Sequence, residues 1–167
     1  MQRLTALFRT VVISVPIGIT LVDVFGYVAK VEGSSMQPAL NPDGDIGDYV
    51  FLNRWAVRHF QLAPGAIVSL SSPKDPDQKL IKRVVGLEGD VVRTLGYRQP
   101  VVRVPDGHCW VEGDNRGHSL DSNLLGPVAV GLVTARASHV VWPPRRWRRL
   151  EPQLPADRHP LSRAASH

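Results

Sequence analysis

Residues 31–40 read Val31-Glu32-Gly33-Ser34-Ser35-Met36-Gln37-Pro38-Ala39-Leu40 and directly follow the only long apolar run of the chain. Gly33 allows backbone conformations that a side chain forbids, and Pro38 fixes its own φ angle, so the two residues stiffen a tight turn around Ser35. Serine is a weak nucleophile unless another group takes its proton, and it is also common in ordinary turns. The stretch alone is therefore compatible with a nucleophile or with a purely structural turn.

A candidate base for Ser35 lies in the segment Gln78-Lys79-Leu80-Ile81-Lys82-Arg83-Val84-Val85-Gly86. Its β-branched residues are typical of a strand, and Lys82 lies in the middle of it. A lysine that loses its hydration on burial has a lowered pKa, and its neutral amine can act as a general base. The alternative for any single lysine is a solvated position on the polar face of a strand.

A polar loop punctuated by glycines, residues 110–128, lies between two strand-like stretches. Loops so rich in hydrogen-bonding groups usually position binding or catalytic groups. Together with Ser35 and Lys82, this loop makes most of residues 30–130 resemble the type I signal peptidases, in which a serine and a lysine form a catalytic dyad. The matching motifs are Gly33-x-Ser35-Met36-x-Pro38, Lys82-Arg83-Val84 and Gly113-Asp114-Asn115-x-x-x-Ser119-x-Asp121-Ser122.

The resemblance implies a mostly β fold, a signal-peptidase-like antiparallel domain, with Ser35 as nucleophile and Lys82 as general base. It also implies that Ser119 hydrogen-bonds the lysine and directs it. Gly33 stands where some bacterial relatives have an oxyanion-donating serine, so the second oxyanion donor must be another group. A family arginine is replaced by Asn123, which leaves the ion pair beside the site open. The supporting residues implied are Asp114 and Asp121, their partner Arg83 or Arg116, and Met36 in a substrate pocket.

Within this family the resemblance is strongest to the protease of the mitochondrial inner membrane. It implies a membrane-anchored serine endopeptidase that removes signal-like sorting presequences from proteins delivered to the intermembrane space. The implied partners are a second catalytic subunit in a heterodimer, the precursor proteins and the lipid bilayer, with no cofactor, metal or nucleic acid. The alternatives are a non-catalytic stabilising subunit of such a protease and a bacterial-type signal peptidase.

The chain has 167 residues, a formal net charge of +5 and one cysteine, Cys109. This length suits one compact domain and one extra element. A single cysteine excludes an internal disulfide framework and the usual structural zinc site. The predicted organisation is a short N-terminal tail at 1–9, a transmembrane anchor at 10–29, a β-rich peptidase domain at 30–142 and a basic, partly disordered tail at 143–167.

The predicted anchor, residues 10–29, carries one charged residue, Asp23. As a helix it would span about 30 Å, which is the thickness of a bilayer core. The alternatives are a pair of buried strands and a targeting peptide that is later removed. Because Arg3 and Arg9 precede the segment, the positive-inside rule predicts an exported domain, which in a mitochondrion faces the intermembrane space.

From Tyr49 onward, short β-branched runs alternate with turns rich in glycine and proline, as in an antiparallel β domain. Residues 130–139 fit either a last strand or a short helix. The tail from 143 to 167 contains six arginines and two acidic residues. It could contact anionic lipid or nucleic acid, or remain solvated. The predicted runs are 49–52, 66–70, 80–85, 90–95, 101–104 and 108–111.

A Ser-His-Asp hydrolase is the main alternative to the Ser-Lys dyad. His108 and His118 are available as bases, and Asp114 and Asp121 lie close to them in sequence. However, Ser35 lacks the Gly-x-Ser-x-Gly pattern of a nucleophile elbow. The two alternatives differ in whether activity requires the lysine or a histidine.

Overall fold

The computed structural model describes residues 3, 12–15, 25–44, 47–58 and 62–162. Most of the regular structure in these residues is β-strand, as the alternation of β-branched runs and turns predicts. The strands are β1 (Gly26–Lys30), β2 (Tyr49–Asn53), β3 (Ile67–Ser71), β4 (Lys79–Gly86), β5 (Val91–Arg93), β6 (Val101–Arg103), β7 (His108–Glu112), β8 (Val128–Ala129), β9 (Val133–Trp142) and β10 (Arg148–Arg149).

The strands pair in an antiparallel sheet of order β1-β2-β9-β3-β4-β7-β8, with β10 added on β9. Strands β5 and β6 form a separate hairpin. The predicted mostly antiparallel β architecture is therefore confirmed. Short helical turns connect the strands: Trp55–Arg58, Arg116–His118, Ser122–Leu125, Val130–Leu132 and Pro144–Arg146.

Strand β4 has one edge that is paired over only part of its length in the described residues. On one side it pairs with β3 from Lys79 to Arg83. On the other side it pairs with β7 only from Arg83 to Gly86. Within the part of the chain that the structure describes, no strand therefore pairs with the second edge of residues 79–82, next to Lys82.

The first strand corrects the C-terminal boundary of the predicted anchor. Residues 26–29 pair with β2 in register and so belong to the sheet. Gly26 has φ +133°, and a Cβ atom there would lie 2.0 Å from the carbonyl oxygen of Leu52, so this contact between strands requires glycine. Residues 12–15 are helical, whereas 10–11 and 16–24 of the anchor lie outside the described residues. No helix described here has the length and apolarity needed to cross a bilayer.

The second correction concerns the predicted basic tail. Residues 143–162, here called the C-terminal segment, pack on the β domain and do not extend away from it. Leu150 belongs to the hydrophobic core, and Arg158 is 5% exposed. The backbone of Val91 exchanges hydrogen bonds with Leu161 and Ser162. The predicted domain boundary at 142 is therefore wrong for this segment, while residues 163–167 lie outside the described part.

Candidate active site

Ser35 lies in a turn formed by residues 31–41, here called the Ser35 turn. Gly33 has φ +80°, the left-handed conformation that glycine adopts without strain, and a Cβ atom there would meet nothing within 4 Å. Its backbone angle, and not lack of space, therefore favours glycine. The N–H of Leu40 donates to the Met36 carbonyl at 2.9 Å, and both side chains are buried in the core. Met36 and Leu40 thus attach the turn to the core of the domain, while Glu32 and Gly33 are exposed.

The structure brings Ser35 and Lys82 into contact, although they are 47 positions apart. Lys82 Nζ lies 2.8 Å from Ser35 Oγ and donates to the Ile81 carbonyl oxygen at 3.0 Å. Lys82 is 3% exposed. Burial lowers the pKa of its amine from the ordinary value, and the nearby carboxylates of Asp121 and Asp114 oppose that shift. An amine in this state can accept the proton of the serine hydroxyl.

Asp114 forms the ion pair that the sequence left open. Arg83 donates from Nε and Nη2 to its two carboxylate oxygens, each at 2.7 Å, in a bidentate geometry. Arg83 Nη1 also donates to the carbonyl oxygens of Gly65 and Gln153, at 2.8 and 2.9 Å. The next residue, Asn115, donates its backbone N–H to the Ser35 carbonyl at 3.0 Å. The Arg83–Asp114 ion pair therefore fixes the position of Asn115, which is hydrogen-bonded to the Ser35 backbone.

Asp121 braces the same loop through hydrogen bonds to backbone groups. Its carboxylate accepts from the N–H of Gly113 at 2.9 Å and from the N–H of Asn123 at 3.0 Å. The side-chain amide of Asn123 donates to Asp121 and to Glu112, both at 3.2 Å. Arg116 instead pairs with the exposed Asp157. In the described residues, Asp121 thus interacts with the side-chain amide of Asn123 and with backbone N–H groups.

Two predicted supporting residues do not make the contacts expected of them. Ser119 Oγ is buried and has no hydrogen-bond partner among the described residues, so the predicted bond to Lys82 is not formed. The serine instead lies against Gly113, where an added Cβ atom would be 2.2 Å from Ser119 Oγ and 2.5 Å from the Ser35 carbonyl oxygen. Met36 is 1% exposed and packs in the core, so its predicted place in a substrate pocket is wrong.

A cavity of about 480 Å³ lies beside Ser35 and Lys82, between β1 and the first half of β4. Its apolar lining includes Ala29, Leu52 and Ile81. The cavity adjoins the uncovered edge of β4. An extended peptide could pair with such an edge through its backbone and place alternate side chains in the cavity.

Sequence reasoning missed a buried ion pair near the site, between Glu112 and Arg158. Arg158 Nε donates to Glu112 Oε2 at 2.6 Å, its Nη2 donates to Oε1, and both side chains are 6% exposed. Trp110 Nε1 donates to the same carboxylate at 2.8 Å. A glutamate inside an apolar strand was the available signal, because a buried charge requires a partner. Nothing in the sequence pattern identified Arg158 as that partner.

The histidine alternative has no matching geometry in the described residues. His108 Nδ1 contacts the carbonyl oxygen of Asp106 at 2.8 Å, and His118 is exposed. Neither histidine has a hydrogen bond to Ser35 or to the two aspartates of a possible triad. The arrangement around Ser35 is therefore a buried amine and a hydroxyl, braced by two carboxylates.

The family model described as signal peptidase, peptidase S26, matches residues 4–98 and 93–142. The chain belongs to this family, which confirms the resemblance drawn from its motifs. Relatives named mitochondrial inner membrane protease subunit 2 are 59% identical in zebrafish, over 89% of this chain and 82% of the relative, and 53% identical in human, over 90% and 87%. Human mitochondrial inner membrane protease subunit 1 is 35% identical over 81% and 83%.

Among solved structures, a signal peptidase I from Enterococcus faecalis shares 22% identity with a TM-score of 0.41, over 46% of this chain and 97% of that chain.

Proposed function

We propose that this chain is a serine endopeptidase in which Ser35 is the nucleophile and Lys82 the general base. It removes signal-like sorting presequences from proteins delivered to the mitochondrial intermembrane space. The observation that carries the proposal is the 2.8 Å contact between Lys82 Nζ and Ser35 Oγ. The names of the relatives support a subunit of a protease of the mitochondrial inner membrane. The proposal further includes a single membrane span, a catalytic domain in the intermembrane space and a second catalytic subunit as heterodimer partner.

The proposed reaction begins when the neutral Lys82 amine takes the Ser35 proton as Oγ bonds to the scissile carbonyl carbon. The carbonyl oxygen then becomes an oxyanion. The Ser35 N–H donates to no group of the described residues, so it is available as an oxyanion donor. Donors of this kind contribute roughly 3 to 4 kcal/mol to transition-state stabilisation.

Collapse of the oxyanion breaks the C–N bond and leaves the acyl group on Ser35. The Lys82 ammonium gives its proton to the departing amine and becomes neutral again. It then takes a proton from a water molecule as the water oxygen attacks the acyl carbon. When the bond to Ser35 Oγ breaks, the Lys82 ammonium returns that proton to Oγ, which restores the hydroxyl and the neutral amine. One lysine thus serves both half-reactions.

Substrate selection follows from the cavity beside the dyad. The presequence pairs with the uncovered edge of residues 79–82 and places alternate side chains in the cavity. Because Ala29, Leu52 and Ile81 line part of the cavity, it favours apolar side chains before the cut. The resemblance to signal peptidases adds the expectation that these side chains are small. This is the expected character of a signal-like sorting sequence.

The experiment that tests the proposal is mass spectrometry of protein N-termini in cells expressing the wild-type chain or Ser35→Ala. We expect Ser35→Ala to deplete a small set of mature N-termini and to accumulate the matching precursors. Ser138→Ala, a serine on β9 that does not line the cavity, is the matched control. Wild-type processing by a stably expressed Ser35→Ala chain would contradict the proposal and favour a non-catalytic stabilising subunit.

The pH dependence of cleavage should report the titration of Lys82. Only the neutral amine is a base, so kcat/KM should rise with pH to a plateau, with a midpoint below the ordinary lysine pKa of 10.5 because burial lowers the Lys82 pKa. Since Asp121 raises that pKa, Asp121→Asn should move the midpoint to lower pH. Asp157→Asn, an exposed control, should leave the midpoint unchanged. A midpoint insensitive to Asp121→Asn would contradict this electrostatic coupling to Asp121.

A further inference from the structure

The C-terminal segment directs two of its arginines at the Ser35 turn and at the residues that hold it. Arg146 Nη1 lies 2.9 Å from Asp48 Oδ1, where the Asp48 side chain is fully buried and that of Arg146 is 15% exposed. Arg148 Nη2 donates to the Ala39 carbonyl oxygen, inside the turn, at 2.6 Å. Both arginines thus interact with groups of the β domain.

Asp48 and Asn41 close the Ser35 turn by reciprocal hydrogen bonds. The Asn41 N–H donates to Asp48 Oδ2 at 2.9 Å, and the Asp48 N–H donates to Asn41 Oδ1 at 2.7 Å. The side-chain amide of Asn41 then donates to the carbonyl oxygens of Val31 at 2.9 Å and Gly33 at 3.1 Å. Asp48 Oδ1 has no such bond and faces the Arg146 guanidinium as an ion pair. These contacts connect Arg146 to the backbone two residues before Ser35.

We propose that Arg146 is a positioning residue for Ser35, acting through Asp48 and Asn41 on the backbone of Gly33. The left-handed conformation of Gly33 sets the course of the chain into Ser35, and the Asn41 amide holds the Gly33 carbonyl. Arg146 supplies the positive charge that faces one oxygen of the buried Asp48 carboxylate, while the other oxygen accepts the Asn41 N–H. The consequence for turnover rests on the proposed function, whereas the consequence for the order of the turn does not.

Removal of the guanidinium leaves a carboxylate buried without a counter-charge. A buried charge without a partner is strongly destabilising, so the Asp48 side chain should move toward water and its bonds to Asn41 should weaken. The turn then loses its hold on Gly33, and Ser35 Oγ is no longer kept at hydrogen-bond distance from Lys82 Nζ. The cavity lining comes mainly from β1, β2 and β4, so peptide binding should change much less than turnover.

The test compares Arg146→Met with Arg145→Met. Arg145 is the adjacent arginine, and its pair with Asp43 is exposed and 3.5 Å long, so it is the matched control. We expect kcat for a presequence peptide to fall about 10- to 100-fold in Arg146→Met, because displacement of a reacting group by about 1 Å has effects of this order. KM should stay within about twofold. Arg145→Met should match the wild type in both constants.

Hydrogen–deuterium exchange of residues 31–41 measures the same link without relying on activity. Exchange in this turn should be faster in Arg146→Met and unchanged in Arg145→Met. Unchanged exchange in a folded Arg146→Met protein would overturn the proposal. If the wild type showed no Ser35-dependent cleavage, the proposed function would fail, and the exchange result would still decide this inference.

Two further variants separate positioning from general stability. Asn41→Ala acts in the same network, so the double variant Asn41→Ala/Arg146→Met should lose no more kcat than the worse single variant. Losses that multiply would overturn the proposal. Arg146→Lys retains the charge and covers the case in which Arg146→Met does not fold. It should melt like the wild type and keep kcat within about fivefold of the wild type, since it retains the charge but not the planar guanidinium. A kcat lowered by more than about tenfold in a stable Arg146→Lys protein would count against the proposal.

Discussion

Replacement of Lys82 by methionine should lower kcat by about 10²- to 10⁴-fold, the contribution typical of a positioned general base. Methionine fills similar space without the amine that lies 2.8 Å from Ser35 Oγ. Because Lys82 is almost completely buried, the apolar side chain also removes a desolvation cost, so the fold should be preserved. The measurements are steady-state kinetics with a presequence peptide and thermal unfolding of the same preparation.

Two control variants make this result specific. Lys74→Met removes an exposed lysine from the turn between β3 and β4 and should retain the wild-type kcat. His118→Ala removes one of the two candidate bases of the histidine alternative and should also leave kcat unchanged. Cleavage by Lys82→Met at close to the wild-type rate would rule out the lysine as base. A large loss in His118→Ala would instead return the Ser-His-Asp alternative.

The β architecture could be predicted from the sequence because β-branched runs and the turns between them are features of neighbouring residues. Runs such as 80–85 combine β-branched residues with flanking turns, and the strand observed there is Lys79–Gly86. The contact between Ser35 and Lys82 could not be predicted in this way, because neither residue spacing nor strand propensity shows which strand packs against a given turn. The family resemblance supplied that link, and the geometry of the side chains agrees with it.

The error at the end of the predicted anchor has a simple physical cause. An unbroken apolar run has neither helical nor strand periodicity, so residues 10–29 could not be divided by pattern. The deciding facts lie elsewhere in the chain: β2 offers a pairing edge, and Gly26 fits against the Leu52 carbonyl. Such long-range pairing is invisible to a window of local sequence.

Composition predicts a solvated tail for the C-terminal segment because it shows the charge of the arginines and not their partners. Its arginines interact with groups far away in the chain, such as Asp48 for Arg146 and Glu112 for Arg158. Arg83 likewise donates to the Gln153 carbonyl, so the segment also contacts the ion pair beside the dyad. A carboxylate predicted to be buried is expected to have a cation as partner. A single sequence does not show which of its many arginines is that partner.

Replacement of Arg158 by methionine should lower the free energy of unfolding by about 3 to 5 kcal/mol, the usual effect of removing one partner of a buried ion pair. Glu112 would remain buried beside Trp110, without the guanidinium that donates to both of its carboxylate oxygens. Arg158 Nη2 also donates to the Arg93 carbonyl oxygen at 2.9 Å, and that bond would be lost as well. Chemical denaturation followed by tryptophan fluorescence measures the change.

Arg116→Met is the matched control. Arg116 pairs with Asp157, the residue before Arg158, and the two side chains are 50% and 59% exposed. Exposed pairs contribute little, so this variant should unfold like the wild type. The double variant Glu112→Gln/Arg158→Met should regain part of the lost stability, since it removes the uncompensated charge. Equal and small losses in Arg158→Met and Arg116→Met would mean that solvent reaches Glu112, and that the C-terminal segment is held to the domain by its other contacts.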